Sequence, residues 1–105
     1  MNKTIKKPLK NNEIRFIIFQ KEKNWYGVAL ELNIIEIHKD PNTTLYNLIE
    51  AITGYIETAI KNNIQLSSLK QTPDKKYETI WNQISKTNQQ KNNIFMFGKK
   101  TLTKA

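Results

Sequence analysis

Ile14-Arg-Phe-Ile-Ile-Phe-Gln20, Trp25-Tyr-Gly-Val-Ala-Leu-Glu-Leu32 and Ile34-Ile-Glu-Ile-His38 run in close succession into Asp40-Pro41, and that stretch decides the fold. The three runs are rich in β-branched and aromatic residues and have the length of strands, with gaps short enough for hairpins. Lys21-Glu-Lys-Asn24 supplies the first turn and Asn33 the second. Asp40 is placed to cap the free amides of a helix, and Pro41 suits its first position, where an N–H would have no partner. From there Thr44, Leu45, Leu48, Ile49, Ile52, Tyr55, Ile56, Ala59 and Ile60 recur at spacings of three and four, an apolar stripe about five turns long. Glu50, Thr53, Glu57 and Lys61 fall opposite, and Asn62-Asn63 ends the helix. Gly54 weakens mid-helix, which predicts a close neighbour over it. The order β-β-β-α predicts an α+β domain with a three-stranded antiparallel sheet followed by a long helix.

Alternation assigns Tyr26, Val28, Leu30 and Leu32 to the face under this helix, and Trp25, Gly27, Ala29 and Glu31 to the other. Ile17, Phe19, Trp25 and Ala29 then share the far face, which is either covered by a later segment or free for a partner. Gly27 marks a bulge, a strong twist or a close backbone approach.

Outward from this core, residues 1–13 read as a flexible basic arm, 14–66 as the folded domain, and 67–105 as a helical and basic extension. Thr72-Pro73-Asp74 repeats the start signal, and a second, shorter helix would align Tyr77, Ile80, Trp81 and Ile84 on one face. Lys86 to Asn93 is too polar for a core. Ile94-Phe-Met-Phe97 offers a last strand at the sheet edge, with the chain fraying from Gly98.

The 105 residues suit one small domain. There is no cysteine, hence no disulfide, thiolate metal site or cysteine nucleophile, which fits a cytoplasmic location. The basic N-terminus lacks a signal peptide's apolar stretch, and no run approaches the ~20 apolar residues of a membrane span. The net charge of +8 is unevenly distributed. Residues 14–66 carry −1, against +3 in 1–13 and +6 in 67–105. Lysine-rich tails of this kind give a nucleic-acid-associated protein as the alternative function, although only one of the seventeen basic residues is Arg, the usual reader of phosphate and base edges. Lys, Asn and Ile together fill 44 positions, a bias that an A/T-rich genome produces without selection for binding.

Few side chains are equipped for catalysis. His38 is the single histidine, at a strand end, with no second His or Cys to complete a zinc site. Ser67 and Ser68 have no spacing that brings them to it. Glu31 and Glu36, on neighbouring strands, could hold Mg²⁺ if they converged, but read as solvated outer-face residues. The three glycines are too far apart for a phosphate loop. The expectation is a non-enzymatic protein without cofactor or metal, acting through an apolar sheet face or a sheet edge that accepts a partner strand.

Phe16-Ile-Ile-Phe-Gln20, Asn24-Trp-Tyr-Gly-Val-Ala-Leu-Glu-Leu32, and Asp40-Pro41 through Glu50-Ala-Ile-Thr-Gly-Tyr-Ile-Glu57 together resemble the HicB-like antitoxin domain, over about residues 14–62. The resemblance implies a partial ribonuclease H-like fold, β-β-β-α with a further strand, that has lost the catalytic carboxylates. It also implies a small RNA-cleaving toxin as protein partner, occluded by the antitoxin of a type II toxin–antitoxin pair, and self-association as dimers or higher oligomers. Phe19, Trp25 and Glu31 are the expected partner-binding residues. Two departures stand out. Residues 67–105 offer no second closely spaced helix of the kind that binds operator DNA, and the tail is basic where a partner of an RNA-binding toxin would be acidic.

Overall fold

The computed structural model describes residues 12–87 and 93–102. Strand β1 (Glu13–Lys21) turns through Glu22 and Lys23 into β2 (Asn24–Ala29), a 3₁₀ turn (Leu30–Leu32) leads to β3 (Ile34–His38), and helix α1 (Pro41–Lys61) follows. A second 3₁₀ turn (Leu66–Leu69), helix α2 (Lys75–Thr87) and strand β4 (Ile94–Thr101) complete the order. The sheet is wholly antiparallel, in the order β3-β2-β1-β4. The fold is therefore α+β, with a four-stranded sheet and two helices.

Helix α1 forms as its signals predict. Asp40 Oδ1 accepts the Thr43 N–H at 2.9 Å, Pro41 is the first helical residue, and Asn62 caps the other end before Asn63 takes a positive φ of 59°. Thr44, Leu48, Ile52, Ile56 and Ala59 form its buried face, with Leu45 and Ile60 at the margins. Ile49 and Tyr55 are exposed, so the stripe that contacts the sheet is narrower than the sequence stripe. Nothing lies within 4 Å of a Cβ built on Gly54, so no close neighbour explains that glycine.

The faces of β2 are the reverse of the expectation. Phe16 and Ile18 pair with Ala29 and Gly27 on the α1 side, whereas Ile17 and Phe19 pair with Val28 and Tyr26 on the α2 side. The smaller residues lie under the long helix because α1 approaches closely. A Cβ on Gly27 would stand 2.9 Å from Thr44 Cγ2 and 3.1 Å from Ile18 Cδ1. Trp25 goes with this set and packs against the α1 cluster, edge-on to Phe95 with ring centroids 6.2 Å apart. β2 is also shorter than the run Trp25–Leu32, since Leu30–Leu32 winds into the 3₁₀ turn and Asn33 takes φ 54°.

On the far face of the sheet, α2 covers the half formed by β1 and β4. Tyr77 and Ile84 are buried there, with Ile80 and Trp81 partly so, against Ile17, Phe19, Val28, Leu30 and Ile94. Helix α2 stands further from the sheet than α1 and meets it through large rings, Tyr77 on Phe19 and Trp81 on Phe97. Asp74, not Thr72, marks its start, with Oδ1 accepting the Lys76 N–H at 3.0 Å.

The ends of the chain depart furthest from expectation. β4 does not fray at Gly98, because Gly98 to Thr101 continue the ladder opposite Phe16 to Glu13 and Leu102 is buried beyond it. Of the arm expected at 1–13, Glu13 belongs to β1 and residues 1–11 lie outside the described residues. Within the polar stretch from Lys86, α2 continues to Thr87, and residues 88–92 lie outside the described residues.

Candidate functional site: an apolar groove and an uncovered strand edge

The two helices cover offset halves of the sheet. α1 packs on β3 and β2, while α2 lies over β1 and β4 through Phe19 and Phe97. On the α2 side the outermost strand β3 is therefore uncovered. Its residues on that side are Ile35 and Ile37, opposite Val28 and Tyr26, and they are 44 % and 48 % exposed. Two large aliphatic side chains of this exposure on an edge strand mark a surface that gains by being covered.

Beside this strip, a groove of about 630 Å³ opens between α2 and the sheet. Phe19 and Tyr26 stack as its floor, centroids 5.4 Å apart and 14° from parallel. Tyr77, Ile80, Ile84 and Ile94 form its walls. Tyr26 belongs both to the groove and to the pair with Ile37, so strip and groove form one continuous apolar surface.

Near the start of α2, through Glu78 and Trp81, lies a charged cluster that closes the structure. Glu31, 5 % exposed, accepts the Arg15 backbone N–H through Oε1 and the Arg15 Nε–H through Oε2, both at 2.7 Å. The same guanidinium donates to both oxygens of Glu78 on α2, at 2.7 and 2.8 Å, and lies 5.4 Å from the Trp81 ring centroid. Burial alone would lower the Arg15 pKa, but its hydrogen bonds to Glu78 and Glu31 outweigh that and hold it above its ordinary value. The cluster fastens β1, the 3₁₀ turn and α2 together, a structural assignment for all three charges.

The three expected partner-binding residues do not form one surface. Phe19 is in the groove floor and 4 % exposed, Trp25 is on the opposite face against α1, and Glu31 is in the ion cluster. Glu31 and Glu36 do not converge either, nor are they solvated outer-face residues: Glu36 lies opposite Gly27 on the α1 side, where its Oε1 is 2.9 Å from His38 Nε2. Among the described residues, no group of three or more His, Asp or Glu side chains is arranged to hold a metal ion, and no helix is long and apolar enough to cross a membrane.

Alternation in β3 sets Ile35 and Ile37 apart from Ile34, Glu36 and His38, and on that pattern the all-apolar parity would be the buried one, whereas the structure leaves it exposed. The usable signal was Gly27-x-Ala29, small residues that identify the tightly packed face and so assign the other parity to the open one. Comparison with protein-family models, curated proteins and solved structures finds no match.

Proposed function

We propose that the protein is a protein-binding module that takes a partner segment along β3, with the partner's side chains covering Ile35 and Ile37 and reaching toward Tyr26. The observation that carries this reading is the pair of exposed isoleucines on an edge strand, continuous with an apolar groove. An added strand satisfies the edge's backbone groups while alternate side chains fill the neighbouring surface, and no catalytic residue is required.

The HicB-like resemblance gives the partner's character, a small RNA-cleaving toxin held in a toxin–antitoxin pair by occlusion. The order β1-β2-β3-α1, with β4 added next to β1, supports the partial ribonuclease H-like reading. Helix α2, between α1 and β4, is a feature the resemblance does not include. Strand β4 completes the sheet and α2 packs on its second face, so these parts of the segment that would carry an operator-binding unit serve the core instead.

The test compares wild type with Ile35→Lys/Ile37→Lys as bait in lysate of the native cell, with and without nuclease treatment. The reading expects a small protein retained by wild type, lost with the double variant, and able to cut RNA until wild type is added back. Retention of nucleic acid alone, abolished by nuclease, would sink it in favour of the lysine-tail alternative. A protein retained equally by both forms would remove β3 from the interface.

A further inference from the structure

We infer that the groove beneath α2 is a binding site for a single-chain apolar carboxylate, a fatty-acid-like anion whose chain lies on the Phe19–Tyr26 floor and whose head group sits at the mouth between Lys21 and Lys76. The volume of about 630 Å³ falls within the range of small-molecule sites, which are mostly apolar with a few polar groups that set orientation. The apolar part is supplied by the stacked rings of Phe19 and Tyr26, the Tyr77 ring 6.2 Å from Phe19, and the aliphatic wall of Ile80 and Ile84. The polar part has one sign. Among the described residues, two lysines line the groove and no carboxylate does: Glu22 and Asp74, adjacent to the mouth in sequence, are not among its lining residues. Lys76 Nζ lies 5.4 Å from the Tyr77 ring centroid, which places a cation at the edge of the aromatic wall. An apolar body that carries one negative charge satisfies both halves. A neutral chain would leave the charge complementarity unused, and an organic cation would be repelled. The site shares Tyr26 with the strand-addition surface, but its charged members lie on β1 and α2 and not on β3, so loss of decanoate binding and loss of the partner are read by different variants.

The test is a titration of the ¹⁵N-labelled full-length protein with decanoate below its micelle concentration, followed by amide shifts. Saturable shifts confined to Phe19, Tyr26, Tyr77, Ile80 and Ile84 are expected. Octanoate should bind about tenfold more weakly, for two fewer buried methylenes. Decanol should bind about fivefold more weakly than decanoate, the modest share that exposed charge pairs supply. Lys21→Glu/Lys76→Glu should weaken decanoate at least tenfold, while Lys23→Glu/Lys75→Glu, with the same change in net charge outside the groove, should not. Both pairs are at exposed positions, so the fold tolerates them. Equal affinity for decanol and decanoate, equal weakening by both double variants, or unsaturable shifts spread over the protein would each overturn the assignment. So would binding to anionic phospholipid vesicles without binding of free decanoate, because the occupant would then be a membrane surface.

Discussion

At the scale of single residues, two glycines have opposite roles. Gly54 is in the exposed middle of α1 with open space where a Cβ would project. Alanine there reduces the freedom of the unfolded chain and improves helix propensity, so Gly54→Ala is expected to raise stability by about 0.5–1 kcal/mol. Gly27 is the reverse. The new methyl would press on Thr44 and Ile18, both fully buried, and the helix would have to move away, so Gly27→Ala should cost about 1–3 kcal/mol. Thermal melts of the two variants should move in opposite directions. Asp40 adds a pH dependence. Hydrogen bonds from the Thr43 hydroxyl and backbone N–H hold its pKa below the ordinary value. A depressed carboxyl pKa contributes stability that is fully present above the unfolded-state pKa and is lost as pH falls through the folded one. Wild type should therefore be more stable than Asp40→Ala at neutral pH, and the gap should close below about pH 4, the ordinary range of an Asp carboxyl. Melts of both proteins from pH 7 to pH 2 measure it.

At the scale of elements, α2 depends on its ion cluster because its helix axis stands off the sheet. Removing Glu31 would leave the Arg15 guanidinium with only Glu78, and the Arg15 amide with no carboxylate. Glu31→Ala is thus expected to cost about 3 kcal/mol, and Glu78→Ala, whose side chain is 35 % exposed, about 1 kcal/mol. Urea midpoints with unchanged slopes check both. The same elements show what could be read from sequence. α1 was legible because cap, proline and apolar period agree. The inward face of α2 was legible for the same reason, as Tyr77, Ile80, Trp81 and Ile84 recur at helical spacing. The parity of β2 was not, since Tyr26-Val28-Leu30 and Trp25-Gly27-Ala29 are both apolar, and larger residues need not face the larger helix. The 3₁₀ turn at Leu30–Leu32 was hidden too. Glu31 turns inward for Arg15, sixteen positions earlier, a partner that no local pattern reveals. For the candidate site, sequence groups Phe19 with Trp25 and Glu31, which the structure places on the opposite face and in the ion cluster, and the uncovered edge emerges only from the offset of the two helices.

At the scale of the molecule, the last residues of the described chain close the fold, which changes how the tails can be tested. Residues 12–87 and 93–102 hold eleven basic and nine acidic residues, so only +2 of the +8 belongs to them. A cut at residue 98 would appear to remove a basic tail. It would also remove Lys99, Lys100 and Thr101, the partners of Arg15, Ile14 and Glu13, together with Leu102. Leu102 is 2 % exposed within the α1-side cluster, and its N–H donates to the Asn12 carbonyl at 2.6 Å, extending the β1–β4 pair one step beyond Glu13 and Thr101. Leu102→Ala keeps that backbone bond and every lysine while opening a cavity in the core, so it isolates packing from charge. It is expected to cost about 3 kcal/mol, the middle of the range for a buried leucine, and to leave the salt dependence of any nucleic-acid binding unchanged in the molecules that remain folded. Lys99→Gln/Lys100→Gln should behave in the opposite way. The ladder persists through the backbone, stability moves by about 0.5 kcal/mol or less, and any phosphate binding loses part of its salt slope. Urea denaturation of the two variants, with a salt titration against single-stranded RNA, separates the roles. A Leu102→Ala protein as stable as wild type would mean that β4 is held by its ladder alone.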